Sequence, residues 1–138
     1  KKYLDDVLDK AKRTGYVETL FGRKRYLPLL GGFGRTAKEQ ERIALNMPIQ
    51  GLAADIIKMA MIRIQKLANE ERFEEKVKIL LQIHDELILE VKSEIINEIV
   101  PYFKEAMEDI FQLTVPLRVD IRTGKIWGEM EKLDEGFL

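Results

Sequence analysis

Apolar side chains recur at helical spacing from the start of the chain. Tyr3, Leu4, Val7, Leu8 and Ala11 share one face, predicting a helix over residues 2–13 that stops at Thr14-Gly15. Tyr16-Val17-Glu18-Thr19-Leu20 then reads as a strand, Phe21-Gly22-Arg23-Lys24-Arg25 as its turn, and Tyr26-Leu27-Pro28 as the return. Leu29 to Arg35, with three glycines, reads as a loop. Thr36-Ala37-Lys38-Glu39 has the form of a capping box, so a second helix is expected from Ala37. Its pattern runs through Ile49, Leu52, Ala53, Ile56, Ala60, Ile64 and Leu67. Pro48 should kink or split it, with Asn46 capping the second piece.

The polar stretch from Asn69 to Lys76 is a connection, followed by expected strands at 77–83 and 87–91. An amphipathic helix through Ile95, Ile96, Ile99, Val100, Phe103, Met107 and Ile110 comes next, placed to support the sheet from behind. Residues 116–122 alternate strictly with period two, predicting a strand with one wet face. Met47, Met59, Met61, Phe103 and Phe111 are expected in the core, and Trp127 as a packing anchor. Helices on one side of a small antiparallel sheet make the expected class α+β.

The run Leu80-Leu81-Gln82-Ile83-His84-Asp85-Glu86-Leu87-Ile88 sets a histidine and two adjacent acids inside an otherwise apolar stretch. Desolvation disfavours negative charge in such a setting, and a bound cation would resolve the conflict. Adjacent strand residues point to opposite faces, so Asp85 and Glu86 would converge only through the turn, and a second carboxylate is expected from outside the chain. Asp55 reads as an acid in mid-helix without a comparable apolar context. His84 alone reads more readily as a packed or hydrogen-bonded residue than as a ligand. One His and no Cys fall short of a zinc site.

Composition narrows the setting. A chain of 138 residues, 46% apolar and without cysteine, reads as one soluble domain in an intracellular, cytoplasmic setting. No apolar run approaches the roughly 18 residues of a membrane span, and the first residues lack a signal peptide's apolar core. Starting without Met, the chain reads as cut from a longer polypeptide, with processing as the alternative that gives the same start. The net charge of -1 hides a division. Residues 1–66 hold 14 Lys and Arg against 7 Asp and Glu (+7), and residues 67–138 hold 9 against 17 (-8). A basic half suits a polyanion and an acidic half suits solvation or metal, although both also read as ordinary charged faces.

In the basic half, Arg42, Asn46 and Gln50 fall at i, i+4 and i+8, so an unbroken helix would present them as one row. Such donors can reach the minor-groove acceptors that every base pair offers, giving duplex binding without sequence readout. Gly51 beside them would let a backbone or a duplex approach closely. Arg23, Lys24 and Arg25 at the hairpin tip suit phosphate contacts. Solvated surface roles for these residues, and an N-cap role for Asn46, remain the alternatives.

Three segments taken together resemble one family. Tyr16 to Pro28, then Asn46-Met47-Pro48-Ile49-Gln50-Gly51 with Ala53-Ala54-Asp55, then Gln82-Ile83-His84-Asp85-Glu86, closely resemble family A DNA polymerases of the bacterial DNA polymerase I type in order and spacing. The resemblance implies that residues 1–35 are the end of the fingers with a connecting hairpin, and 36–138 the C-terminal part of the palm. His84-Asp85-Glu86 would be the family's motif C. By that likeness Asp85 is one of two aspartates holding catalytic Mg²⁺, Glu86 an auxiliary acid, and His84 a contact to the primer end. Arg42, Asn46 and Gln50 match positions that touch primer and template, and Arg23 and Arg25 a basic segment near the duplex. Leu52 and the Gly31-Gly32-Phe33-Gly34 loop depart from the family pattern.

The implied chemistry is nucleotidyl transfer, a primer 3′-hydroxyl attacking the α-phosphate of a deoxynucleoside triphosphate. The implied partners are primer-template DNA, deoxynucleoside triphosphates and the rest of the polymerase chain or a complementing subunit, with no membrane. The motif A strand and the nucleotide-binding fingers helix do not occur here, so the 138 residues alone are expected to be inactive. A non-catalytic duplex-binding module and one subunit of a split polymerase are the competing readings.

Overall fold

The computed structural model describes residues 2–70 and 72–133. They form α1 (Lys2–Thr14), β1 (Tyr16–Glu18), β2 (Lys24–Tyr26), α2 (Arg35–Ala68), β3 (Val77–Ile83), β4 (Glu86–Val91), α3 (Ile96–Glu108), β5 (Arg122–Thr123) and β6 (Glu131–Lys132). Helices and antiparallel strands together give the expected α+β class. The strands form three separate two-stranded ladders, β1-β2, β3-β4 and β5-β6, where a single small sheet was expected. The chain divides into two compact units, Lys1–Asp55 and Ile56–Leu138, rather than one.

In the first unit α1 ends where Gly15, at φ +77°, donates its N–H to the Ala11 carbonyl. That left-handed turn costs glycine nothing and redirects the chain into β1. Ala11, Val17, Leu27 and Ala44 form the buried core, with Val7, Leu8, Leu30, Ile43 and Met47 packed around it. The loop after β2 is tied back by Leu29 N–H donating to Gln40 Oε1 at 2.8 Å.

Helix α2 corrects two expectations. It begins at Arg35, so Thr36 already occupies a helical position and no capping bond to it occurs among the described residues. Pro48 lies inside the helix and does not split it, so Asn46 caps nothing. A proline in mid-helix costs about 3 kcal/mol through its missing N–H and its ring. The helix carries buried side chains on both sides of the proline, Ala44 one turn before it and Ile57, Ala60 and Ile64 after it.

The second unit is organised by Ile64, Phe73 and Ile99, its largest fully buried side chains, with Val77, Ile95 and Phe103 around them. The guanidinium of Arg72 lies over the rings of Phe73 and Tyr102, at 4.4 and 4.8 Å from their centroids, and closes the edge of this core. β3 pairs with β4 through Ile79↔Leu89 and then Leu81↔Ile88, so Leu80 is an extra residue. One inserted residue exchanges the faces beyond it. Ile79, Leu87, Leu89 and Val91 pack on the core, while Leu81 and Ile88 pass to the opposite face. The apolar run is therefore not a strand pair buried on both sides.

Two C-terminal expectations fail. Residues 117–121 alternate in burial as predicted, but among the described residues only Arg122–Thr123 of the expected strand joins a ladder. The Val119 N–H donates instead to Glu108 Oε1 at 2.8 Å, which satisfies it without a strand partner. Trp127 is 57% exposed, because the two-residue strands flanking it offer no face broad enough to cover an indole.

Candidate nucleic-acid interface

Arg42, Asn46 and Gln50 lie on consecutive turns of α2 and are all exposed. The β1-β2 hairpin stands beside them. Arg23, Lys24 and Arg25 line one open groove with Arg42, Asn46 and Gln50, a space of about 720 Å³. Thus the first unit brings the six duplex-contact candidates of the basic half together, from two elements far apart in sequence. Glu39 also lines the groove. Among the described residues the side chains of Arg25, Arg42, Asn46 and Gln50 have no ion pair or hydrogen bond, so their donors face the groove uncommitted.

The hairpin is fixed by Arg23 together with Thr19 and Asp55, a joint that the sequence alone does not assign to them. Thr19, 3% exposed, donates its hydroxyl to Asp55 Oδ2 at 2.9 Å and accepts the Arg23 N–H at 3.3 Å. Arg23 Nη2 donates to Asp55 Oδ1 and, at 3.1 Å, to the Gly51 carbonyl. Arg23 therefore enters the groove wall already paired, unlike Arg25. Asp55, expected to be an ordinary helical acid, is the acid held against a hairpin. The available signal was its spacing: Met47, Gly51 and Asp55 form the ridge of α2 adjacent to the donor row. What approaches Gly51 is the Thr19 methyl of this chain's own hairpin. Lys24 leans over the Tyr16 ring, its Nζ 4.5 Å from the centroid, which keeps the ammonium at the hairpin surface.

His84, Asp85 and Glu86 belong to the second unit, and all three are exposed. The expected burial of charge between two apolar strands does not occur. A two-stranded hairpin has no layer around its tip, and Glu86 alternates on β4 with the core-packed Leu87, so it lies on the other face. His84 and Asp85 are the two loop residues between Ile83 and Glu86, which pair. His84 takes φ +53°, in the left-handed region, where a non-glycine residue is uncommon. The Gln82 side chain donates to its carbonyl at 2.5 Å and braces that turn. Asp85 and Glu86 offer hard oxygen donors in the open, but among the described residues no three His, Cys, Asp or Glu side chains gather as a metal site.

Residues 1–129 match the model of DNA polymerase family A. The chain belongs to that family. Its sequence is 41% identical over 128 residues to DNA polymerase I of Deinococcus radiodurans, covering 92% of this chain and 13% of that protein. It is 45% identical to DNA polymerase I of Geobacillus stearothermophilus, covering 92% and 14%. The thermostable DNA polymerase I of Thermus aquaticus is 42% identical, with 92% and 15% covered. The fold resembles the POL domain of Pol1 from M. smegmatis, solved in complex with DNA primer-template and dNTP, with a TM-score of 0.79 and 44% identity. That match covers 85% of this chain and 20% of the other. The family A chain described here thus spans 13% to 15% of the length of these curated relatives. Among its described residues no helix is long and apolar enough to cross a membrane.

Proposed function

We propose that this chain is the C-terminal portion of a template-directed DNA polymerase, with residues 1–35 closing the fingers and 36–138 completing the palm. The observation that carries the reading is the groove in which Arg42, Asn46 and Gln50 face a basic hairpin, within a family A chain. Uncommitted neutral donors suit minor-groove acceptors common to all base pairs, and Arg25 and Lys24 suit the flanking phosphates. That combination holds a duplex without reading its sequence. A polymerase requires this of its primer-template.

Asp85 would hold Mg²⁺, with Glu86 as an auxiliary acid and His84 touching the primer end. Mg²⁺ typically takes one or two carboxylates and completes its shell with water and phosphate oxygens, so two exposed acids at a hairpin tip fit its donor preference. Bound there, the ion would supply charge stabilisation for nucleotidyl transfer to the primer 3′-hydroxyl. The chain's own residues bind and orient: the donor row fixes the duplex, and the hairpin tip presents its carboxylates to solvent. The remaining carboxylate and the nucleotide-binding groups would come from the rest of the polymerase chain or a complementing subunit. Deoxynucleoside triphosphates are the proposed co-substrates and the cytoplasm the proposed location.

Primer extension tests this reading. In the complete polymerase, Asp85→Asn should abolish extension and leave primer-template affinity within about twofold. The 138 residues alone should not extend a primer. Undiminished extension by the Asp85→Asn enzyme would remove the metal role, and extension by the fragment alone would remove the need for outside groups.

A further inference from the structure

The Asp55 carboxylate ties the hairpin to the helix that bears the donor row. It accepts the Thr19 hydroxyl on one oxygen and the Arg23 guanidinium on the other. Arg23 reaches past it to the Gly51 carbonyl at 3.1 Å, and the Thr19 and Arg23 backbones are joined by Thr19 N–H donating to Arg23 O at 3.0 Å. The Asp55 side chain is 17% exposed and that of Arg23 42%, so the acid lies beneath the hairpin and the guanidinium closes over it. A paired carboxylate with two donors from one turn is a rigid joint, because loss of either donor leaves charge poorly satisfied.

We infer that Asp55, Thr19 and Arg23 are positioning residues that set the register of the basic hairpin against Arg42, Asn46 and Gln50, and that Arg23 serves the duplex through this joint rather than as a phosphate ligand. The inference rests on the duplex-binding reading of the groove. Its charge argument is specific. With its guanidinium compensated by Asp55, Arg23 adds little net field to the groove, whereas Arg25 is uncompensated among the described residues. Direct phosphate contact therefore falls to Lys24 and Arg25, and their reach depends on the angle at which Thr19 and Asp55 hold the turn.

The test uses the complete polymerase carrying these residues and measures primer-template Kd against salt, with steady-state kinetics. Thr19→Val removes the hydroxyl while keeping shape and charge. It should raise Kd and the primer-template KM about threefold to tenfold with kcat at saturating duplex unchanged, and Thr19→Ser should restore both. Asp55→Asn should weaken binding in the same direction, although it makes the chain more positive. Tighter binding by Asp55→Asn with a steeper salt slope would identify Arg23 as a restrained phosphate ligand and overturn the inference. Unchanged Kd in Thr19→Val would overturn it too. Arg25→Ala and Arg42→Ala separate the two levels. If they weaken binding and Thr19→Val does not, the joint alone is wrong; if they have no effect, the duplex face is wrong and the joint's role falls with it. Should Asp55→Asn fail to fold, the charge-neutral Thr19 pair decides.

Discussion

Gly51 faces Thr19 so closely that a Cβ on the glycine would stand 2.5 Å from the threonine methyl. The methyl cannot swing away freely, because the Thr19 hydroxyl is held by Asp55 at 2.9 Å. Gly51→Ala must therefore push the hairpin off α2 or break that bond. Overpacking of this kind costs about 1–3 kcal/mol. Hydrogen exchange at the Thr19 and Arg23 amides should quicken accordingly, with the second unit's amides unaffected. Unchanged exchange would show that the joint tolerates a methyl group.

The groove's charged and neutral donors should separate in their response to salt. Arg25→Ala and Arg42→Ala each remove a cation, so each should flatten the slope of log Kd against log salt by about 0.9 for every phosphate that the arginine neutralises. Asn46→Ala and Gln50→Ala remove neutral donors, and should weaken duplex binding by about 0.5–1.5 kcal/mol with the slope unchanged. A·T-rich and G·C-rich duplexes should lose affinity equally, since the acceptors concerned occur in every base pair. Titrations on the two duplexes at several salt concentrations provide the check, and a composition-dependent effect would count against contacts confined to the acceptors that every base pair shares.

How much of the molecule is legible in the sequence depends on whether the deciding partner is local. The donor row follows from a four-residue spacing, and the structure places Arg42, Asn46 and Gln50 together as that spacing requires. The β3-β4 hairpin is legible within a residue because apolar runs flank it. Asp55 is not, because its partner Arg23 is 32 residues away and only the folded hairpin brings them together. The exposure of Asp85 and Glu86 is hidden because an apolar run says that a strand exists, not which of its faces is covered. The inserted Leu80, invisible in composition, exchanges the faces of β3 beyond it. Pro48 reads as a kink or a break because local propensity carries no information on packing, whereas the helix has buried residues both before and after it.

Acid should loosen the tie between α1 and β1. The Lys10 ammonium donates to Glu18 at 2.7 Å. That hydrogen bond, reinforced by the charge of Lys10, holds the Glu18 carboxyl below the ordinary glutamate range, while the same bond raises Lys10 above the ordinary lysine range. A depressed folded-state value means that the stabilisation is present above the unfolded glutamate's value and is lost as pH falls through the folded one. For Lys10 it is full below the unfolded lysine's value and lost as pH rises through the folded one. Both contributions are complete across the neutral range. The pair is exposed, so high salt should weaken it. Carboxyl NMR of Glu18 should show its midpoint moving up toward the ordinary range in Lys10→Met, and an unmoved midpoint would deny the pairing in solution.

His84 occupies φ +53° at the first position of a two-residue turn, where glycine is usual. A left-handed β-carbon costs roughly 1–2 kcal/mol, and glycine would return part of it as chain entropy. The side chain is exposed and makes no ion pair among the described residues, so packing does not offset the strain. Strain retained without a structural return is characteristic of functional positions. His84→Gly in the complete polymerase should therefore leave hydrogen-exchange protection of the β3-β4 amides unchanged or increased, by at most about 1 kcal/mol, while primer extension slows. A drop in protection larger than that would mean the imidazole holds the hairpin together. Preserved extension would mean that the primer end does not depend on it.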